Sequence, residues 1–162
     1  MSSLSALDRV LGWAQRMTQC VKTDWVLVAQ MGALRVSLPI LKRVFKATTL
    51  AEFLYSPPAE PLGEAERHHR LELVKFVVRK GGRLLVSRNC LDRSLMLYRV
   101  LSRADARPTL VLGARRGETS MAGHAWIEID GESPFDSEIH GYTPVVAFTG
   151  RPSESAHLHS LI

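Results

Sequence analysis

Asn89-Cys90-Leu91-Asp92-Arg93-Ser94-Leu95-Met96-Leu97-Tyr98 is the stretch on which the reading of this chain turns. Leu91, Leu95, Leu97, Tyr98 and then Leu101 recur at mostly helical spacing, which predicts a helix with Cys90 in its first turn. A thiol at a helix N-terminus meets unpaired backbone N–H groups. Their partial positive charge favours the thiolate, which is the nucleophilic form. Two neighbours pull in opposite directions: Asp92 opposes thiolate formation and Arg93 supports it.

Downstream lies Gly123-His124-Ala125-Trp126-Ile127-Glu128-Ile129-Asp130-Gly131. Its composition predicts a strand, with Trp126, Glu128 and Asp130 on one face and Ala125, Ile127 and Ile129 on the other. Asp130-Gly131 predicts a tight turn, and a second short strand over 133–137 would carry Asp136 back beside His124. Cysteine catalysis needs an imidazole within reach of sulfur and gains from a third group that fixes its tautomer. Cys90, His124 and a carboxylate supply those types. On the residues alone the carboxylate is open: Asp136 stands slightly ahead of Asp130, and Glu128 is displaced along the strand. A buried structural cysteine is the plain alternative for Cys90.

The blocks Cys90-Leu91-Asp92-Arg93-Ser94-Leu95, Leu110-Val111-Leu112-Gly113 and His124-Ala125-Trp126-Ile127-Glu128-Ile129-Asp130-Gly131 together resemble the transglutaminase-like cysteine peptidases of lasso peptide biosynthesis. The resemblance implies an α+β fold. Its transglutaminase/papain-like catalytic core sets the nucleophile at a helix N-terminus against a small antiparallel sheet, preceded by a helical N-terminal layer. It implies Cys90 as nucleophile, His124 as general base and Asp136 as the orienting carboxylate. It further implies a leader peptidase acting on a ribosomally made precursor peptide, with Thr at the penultimate leader position. A separate leader-recognition protein presents the precursor, and a macrolactam cyclase closes the ring afterwards. No cofactor and no metal are implied. Asp92 departs from the pattern, which carries an uncharged residue there. Acyl transfer to an amine, or a non-catalytic scaffold or leader-binding role, are the alternatives.

Further residues near this chemistry are Asn89 and Leu91, as possible oxyanion contacts, and Arg93. Arg115 and Arg116 would sit in a polar loop over 114–120, able to bind substrate carboxylates, and Trp126 could wall a pocket. His140 is a weaker base. The adjacent His68 and His69 read as surface residues rather than metal ligands.

Hydrophobic residues make up 46% of the 162, enough for a core, so a disordered chain is excluded. A net charge of +5 is spread over scattered arginines without interleaved aromatics, which argues against nucleic acid. Cys20 and Cys90 form no metal-type pair, and no secretory signal is evident, so a cytoplasmic protein with reduced thiols is expected.

Four regions are expected: a helical layer over 1–55 with a partner-docking surface, a Pro-rich linker over 56–63, the catalytic core over 64–150 and a polar tail over 151–162. Within the layer, Ser5 would cap a first helix and Thr23 or Asp24 a second, running from Trp25 to about Leu38. That second helix is apolar on most of its surface. A buried position is expected, with a helix lying on a membrane as the alternative, flanked by Arg35, Lys42, Arg43 and Lys46. Pro39 should kink or restart it. Thr49 and Glu52 match a capping box. Residues 64–78 predict a helix that Gly81-Gly82 ends. Strands are expected over 106–112 and 142–148.

Overall fold

A computed structural model describes residues 6–117 and 120–149. The expected cap at Ser5, the side chain of Cys20 and the tail over 151–162 lie outside the described residues. The elements run α1 (Ala6–Val44), α2 (Ala47–Leu54), α3 (Glu64–Leu85), α4 (Cys90–Arg103), β1 (Thr109–Arg116), β2 (Met121–Glu128) and β3 (Thr143–Phe148). The architecture is α+β, with helices packed on a three-stranded antiparallel sheet of order β2-β1-β3.

Asp24 breaks α1 into two helices: its backbone is extended (φ −158°, ψ 93°) and its Oδ1 accepts from the Leu27 N–H at 2.9 Å. This is the expected N-cap. Pro39 does not break the helix; helical dihedrals continue to Val44. Pro39 and Arg35 lie on the exposed side, where water can satisfy the carbonyl that proline leaves unpaired. The capping box at Thr49 is also not used. The short helix begins earlier, after Lys46, and Thr49 falls inside it.

α3 runs through the expected range and departs from helical dihedrals at Gly82 (φ 49°, ψ −139°); one further turn then buries Leu85 and Val86. On its outer surface Arg70 pairs with Glu66 at 2.7 Å and Lys75 with Glu72 at 2.9 Å. Such pairs contribute about 0.3 kcal/mol each. Both His68 and His69 are exposed, and no group of three or more metal-ligating side chains occurs among the described residues.

One core joins all layers. Met31 and Leu38 of α1, Leu50 and Leu54 of α2, Val74 and Val77 of α3, Leu95, Leu97 and Leu101 of α4, Leu110 of β1 and Ile127 of β2 belong to a single buried cluster. Tyr98 lies in the same cluster, its ring 5.8 Å from that of Tyr55. Burial, with the Tyr55 phenol beside it, pushes its hydroxyl well above the ordinary tyrosine range. The Pro-rich segment is tied down at both ends by the close of α4 and the turn after it: Ser56 N–H donates to Ser102 Oγ at 3.2 Å and Leu62 N–H to Asp105 Oδ2 at 3.0 Å. Arg99 donates to the carbonyl of Leu54 at 3.1 Å, closing the C-terminal end of α2.

The sheet differs from expectation in two places. β1 continues to Arg116, where it pairs with Met121, so Arg115 and Arg116 stand on a strand rather than in a loop. Polar strand ends resemble loops in composition, and only the ladder with β2 distinguishes them. The second strand over 133–137 does not form. Asp130 (φ 51°) and Gly131 (φ 82°) make the tight turn, followed by a single bridge between Ile129 and Glu132. The chain then proceeds in turns, as Pro134 has no N–H to give a ladder.

Candidate active site

Cys90 is the first residue of α4 and a free, half-buried thiol. Asn89 is the N-cap: its side-chain oxygen accepts from the Asp92 N–H at 3.2 Å. Arg93 N–H bonds to the Asn89 carbonyl, which is the first intrahelical bond. Helix geometry therefore leaves the N–H groups of Cys90 and Leu91 without intrahelical acceptors. Leu91 contributes this amide, while its side chain packs against the core.

α4 is anchored to β2 one turn after the cysteine. Ser94, fully buried, donates from Oγ to the carbonyl of Ala125 at 2.8 Å, beside His124. Arg93 reaches the turn after β2 and pairs with Asp136 Oδ2. His124 Nε2 lies 3.0 Å from that same oxygen. An ionised carboxylate can only accept, so Nε2 carries the proton and Nδ1 keeps a lone pair. The structure thus brings Arg93, His124 and Asp136 into direct contact, with Cys90 one helical turn, about 5.4 Å along the axis, from the Arg93–Ser94 anchor. Asp136 is held from its other oxygen as well, which accepts from the Glu138 N–H at 3.0 Å.

The other carboxylates are engaged elsewhere. Glu128 accepts from Trp126 Nε1 at 2.7 Å, and Asp130 serves the turn. Trp126, expected as a pocket wall, lies inside the fold. It is buried and stacks beside His124 with ring centroids 6.1 Å apart, backing the imidazole. Gly113 makes that possible. A Cβ there would lie 2.6 Å from the indole ring and 3.0 Å from the Thr143 carbonyl. Tyr142 also lies against the imidazole, with ring centroids 5.0 Å apart, and the Arg115 guanidinium stands 4.7 Å over its ring. Arg116 is exposed at the end of β1, and His140 is exposed in the turns before β3.

Two residues escaped the sequence reading. Tyr142 carries no local signal, because its place against His124 is set by the pairing of β3 with β1. Lys42 was legible only as part of a basic flank. In the structure it forms an ion pair with buried Asp92, without the alignment of a good hydrogen bond. The acidic residue two positions after Cys90 is therefore charge-compensated from α1. Two grooves, of about 810 and 770 Å³, are lined without Cys90, His124 or Asp136, one along Asp24, Pro57, His69 and Arg103, the other along His68, Arg107 and Asp130.

Comparison with individual curated proteins and with solved structures finds no match. The family model described as the transglutaminase-like superfamily matches residues 32–147, from the middle of α1 to the end of β3, a range that holds Lys42, Cys90, His124 and Asp136. The helix start that bears Cys90, the small antiparallel sheet and this match lead to one statement: the chain belongs to the transglutaminase-like superfamily.

Proposed function

We propose that the protein is a cysteine endopeptidase that removes the leader from a lasso peptide precursor before the macrolactam ring is closed. The observation that carries this reading is the 3.0 Å contact between His124 Nε2 and Asp136 Oδ2, placed beside the helix start that bears Cys90. Asp136 holds the imidazole with Nδ1 free. Nδ1 takes the Cys90 proton, and the thiolate attacks the carbonyl at the leader–core boundary. The N–H groups of Cys90 and Leu91 hold the oxyanion, and Asn89 keeps that helix start in place. The imidazolium then protonates the leaving amine, and water releases the acyl-enzyme. Arg93 shares the carboxylate oxygen with His124, so Asp136 acts more by fixing tautomer and ring position than by adding net negative charge. Tyr142 and Trp126 both lie against the ring.

The partners of this reaction are the precursor peptide, a separate leader-recognition protein and, downstream, the macrolactam cyclase.

Mass spectrometry of the genomically linked precursor, incubated with the recognition protein and either wild type or Cys90→Ala, tests this. Cleavage at one bond by wild type alone is the expected result. An amide cross-linked product would assign acyl transfer, and equal cleavage by the alanine variant would remove Cys90 from the mechanism.

A further inference from the structure

The helix from Trp25 to Val44 is apolar on two sides, and among the described residues only one is covered. Leu27, Met31 and Leu38 are packed in the core. On the opposite side Trp25 is 68% exposed, Val36 73%, Ile40 61% and Val44 70%. At successive steps of three or four residues they form a continuous ridge with Ala29 and Ala33 between them. At its end, exposed Phe45 and Phe53 stack with centroids 6.5 Å apart and planes within 9°. Contiguous apolar surface of this extent on a folded chain marks a binding face.

The charges along it are mostly of one sign, the exceptions being Asp24 beside Trp25 and exposed Glu52 beside Phe53. Residues 25–51 contain no Asp or Glu, but include Arg35, Lys42, Arg43 and Lys46. Lys42 is turned to Asp92, while Arg35, Arg43 and Lys46 are exposed and form no ion pair among the described residues. A second copy is a poor cover, because a symmetric contact would set these three cations against their own copies, with only Glu52 at the far end to offset them among residues 25–53. A membrane-spanning position is also excluded for this fold. The segment has the length and hydropathy of a span, but its inner face is part of the protein core. What remains complementary to an aromatic-tipped apolar ridge bordered by free cations is the headgroup region of an anionic bilayer.

We infer that the outer face of α1, with Phe45 and Phe53 at its end, docks this protein flat on an anionic lipid surface. The ridge enters the acyl boundary, and Arg35, Arg43 and Lys46 meet lipid phosphates. The inference stands apart from the peptidase reading, as it uses no residue of the triad.

The test is co-sedimentation of the full chain with vesicles of phosphatidylcholine and phosphatidylglycerol, against vesicles of phosphatidylcholine alone. Binding is expected to the anionic vesicles, weakening with salt. Neutralising Arg35, Arg43 and Lys46 to Gln should weaken it by about fivefold per cation. Ile40→Glu/Val44→Glu should abolish it while leaving the melting temperature and Cys90 alkylation unchanged, because both side chains are exposed. No pelleting by wild type, or equal pelleting by the double variant, overturns the proposal. A soluble dimer that the double variant dissolves, without vesicle binding, overturns it in favour of a second copy. A purified recognition protein that binds wild type and not the double variant, again without vesicle binding, overturns it in favour of a protein partner.

Discussion

The corner around His124 and the outer face of α1 are built on opposite principles. At the corner the groups that position His124 have named partners: Nε2 on Asp136, Arg93 on the same carboxylate, the Asp136 second oxygen on Glu138, Ser94 on Ala125, Trp126 on Glu128. Along the outer face of α1 apolar side chains meet solvent, and Arg35, Arg43 and Lys46 beside them form no ion pair among the described residues. The first region is finished within the chain, and the second is finished only by something outside it. Precision at a site requires the first arrangement, since an unpaired buried polar group costs about 1–3 kcal/mol. Attachment to a surface requires the second.

The largest effects should come from breaking the finished corner. His124→Ala should reduce precursor cleavage by about 10³-fold or more, and Asp136→Asn by about 10²-fold or more, through loss of the correct tautomer. Both would be read as kcat/KM with unchanged precursor binding. Next, the two sides of α1 can be set against each other. Leu38→Ala should cost about 2–5 kcal/mol by leaving a cavity, whereas Ile40→Ala should stay within about 0.5 kcal/mol. Urea denaturation measures both, and comparable losses would mean that the outer face is covered in the folded chain.

Gly113→Ala sharpens the corner from beneath. Its Cβ collides with the Trp126 ring, so a loss of about 1–3 kcal/mol is expected, with a changed tryptophan emission. The one link between the two regions is Lys42. Lys42→Met leaves Asp92 uncompensated near Cys90 and should slow iodoacetamide alkylation at neutral pH by about fivefold, the factor for about 1 kcal/mol of charge interaction. Lys42→Met/Asp92→Asn should restore the rate; failure to restore it would assign Lys42 to packing alone. The smallest effect at neutral pH belongs to Tyr98. Its hydroxyl is held above the ordinary value of 10.0, so the folded state keeps a proton that the unfolded chain releases. Stability should be intact below pH 10.0 and fall as the pH rises beyond it. Tyr98→Phe should remove that share of the fall.

Local sequence was informative wherever one element decides the outcome alone. The spacing from Leu91 to Leu101 placed α4 and set Cys90 at its start, and Asp24 and Asp130-Gly131 signalled a cap and a turn that the structure contains. It failed where a neighbour decides. The polar end of β1 looked like a loop because its partner strand was not visible. The Thr49 capping box went unused because the core selects Leu50, Ala51 and Leu54 as the buried face of a helix that starts earlier. The apolar run in α1 looked buried because composition does not say which of two apolar faces meets the core.

The residue types at the site and their order along the chain were thus determined by the sequence itself, since helix periodicity and turn chemistry are short-range. The choice of Asp136 over Asp130 on geometry, the stacking of Tyr142 on His124 and the pairing of Lys42 with Asp92 were decided only by the tertiary structure. Each joins residues whose separation along the chain carries no signal, and the pairing of β1 with both neighbours and the packing of α1 on α4 bring them within contact distance.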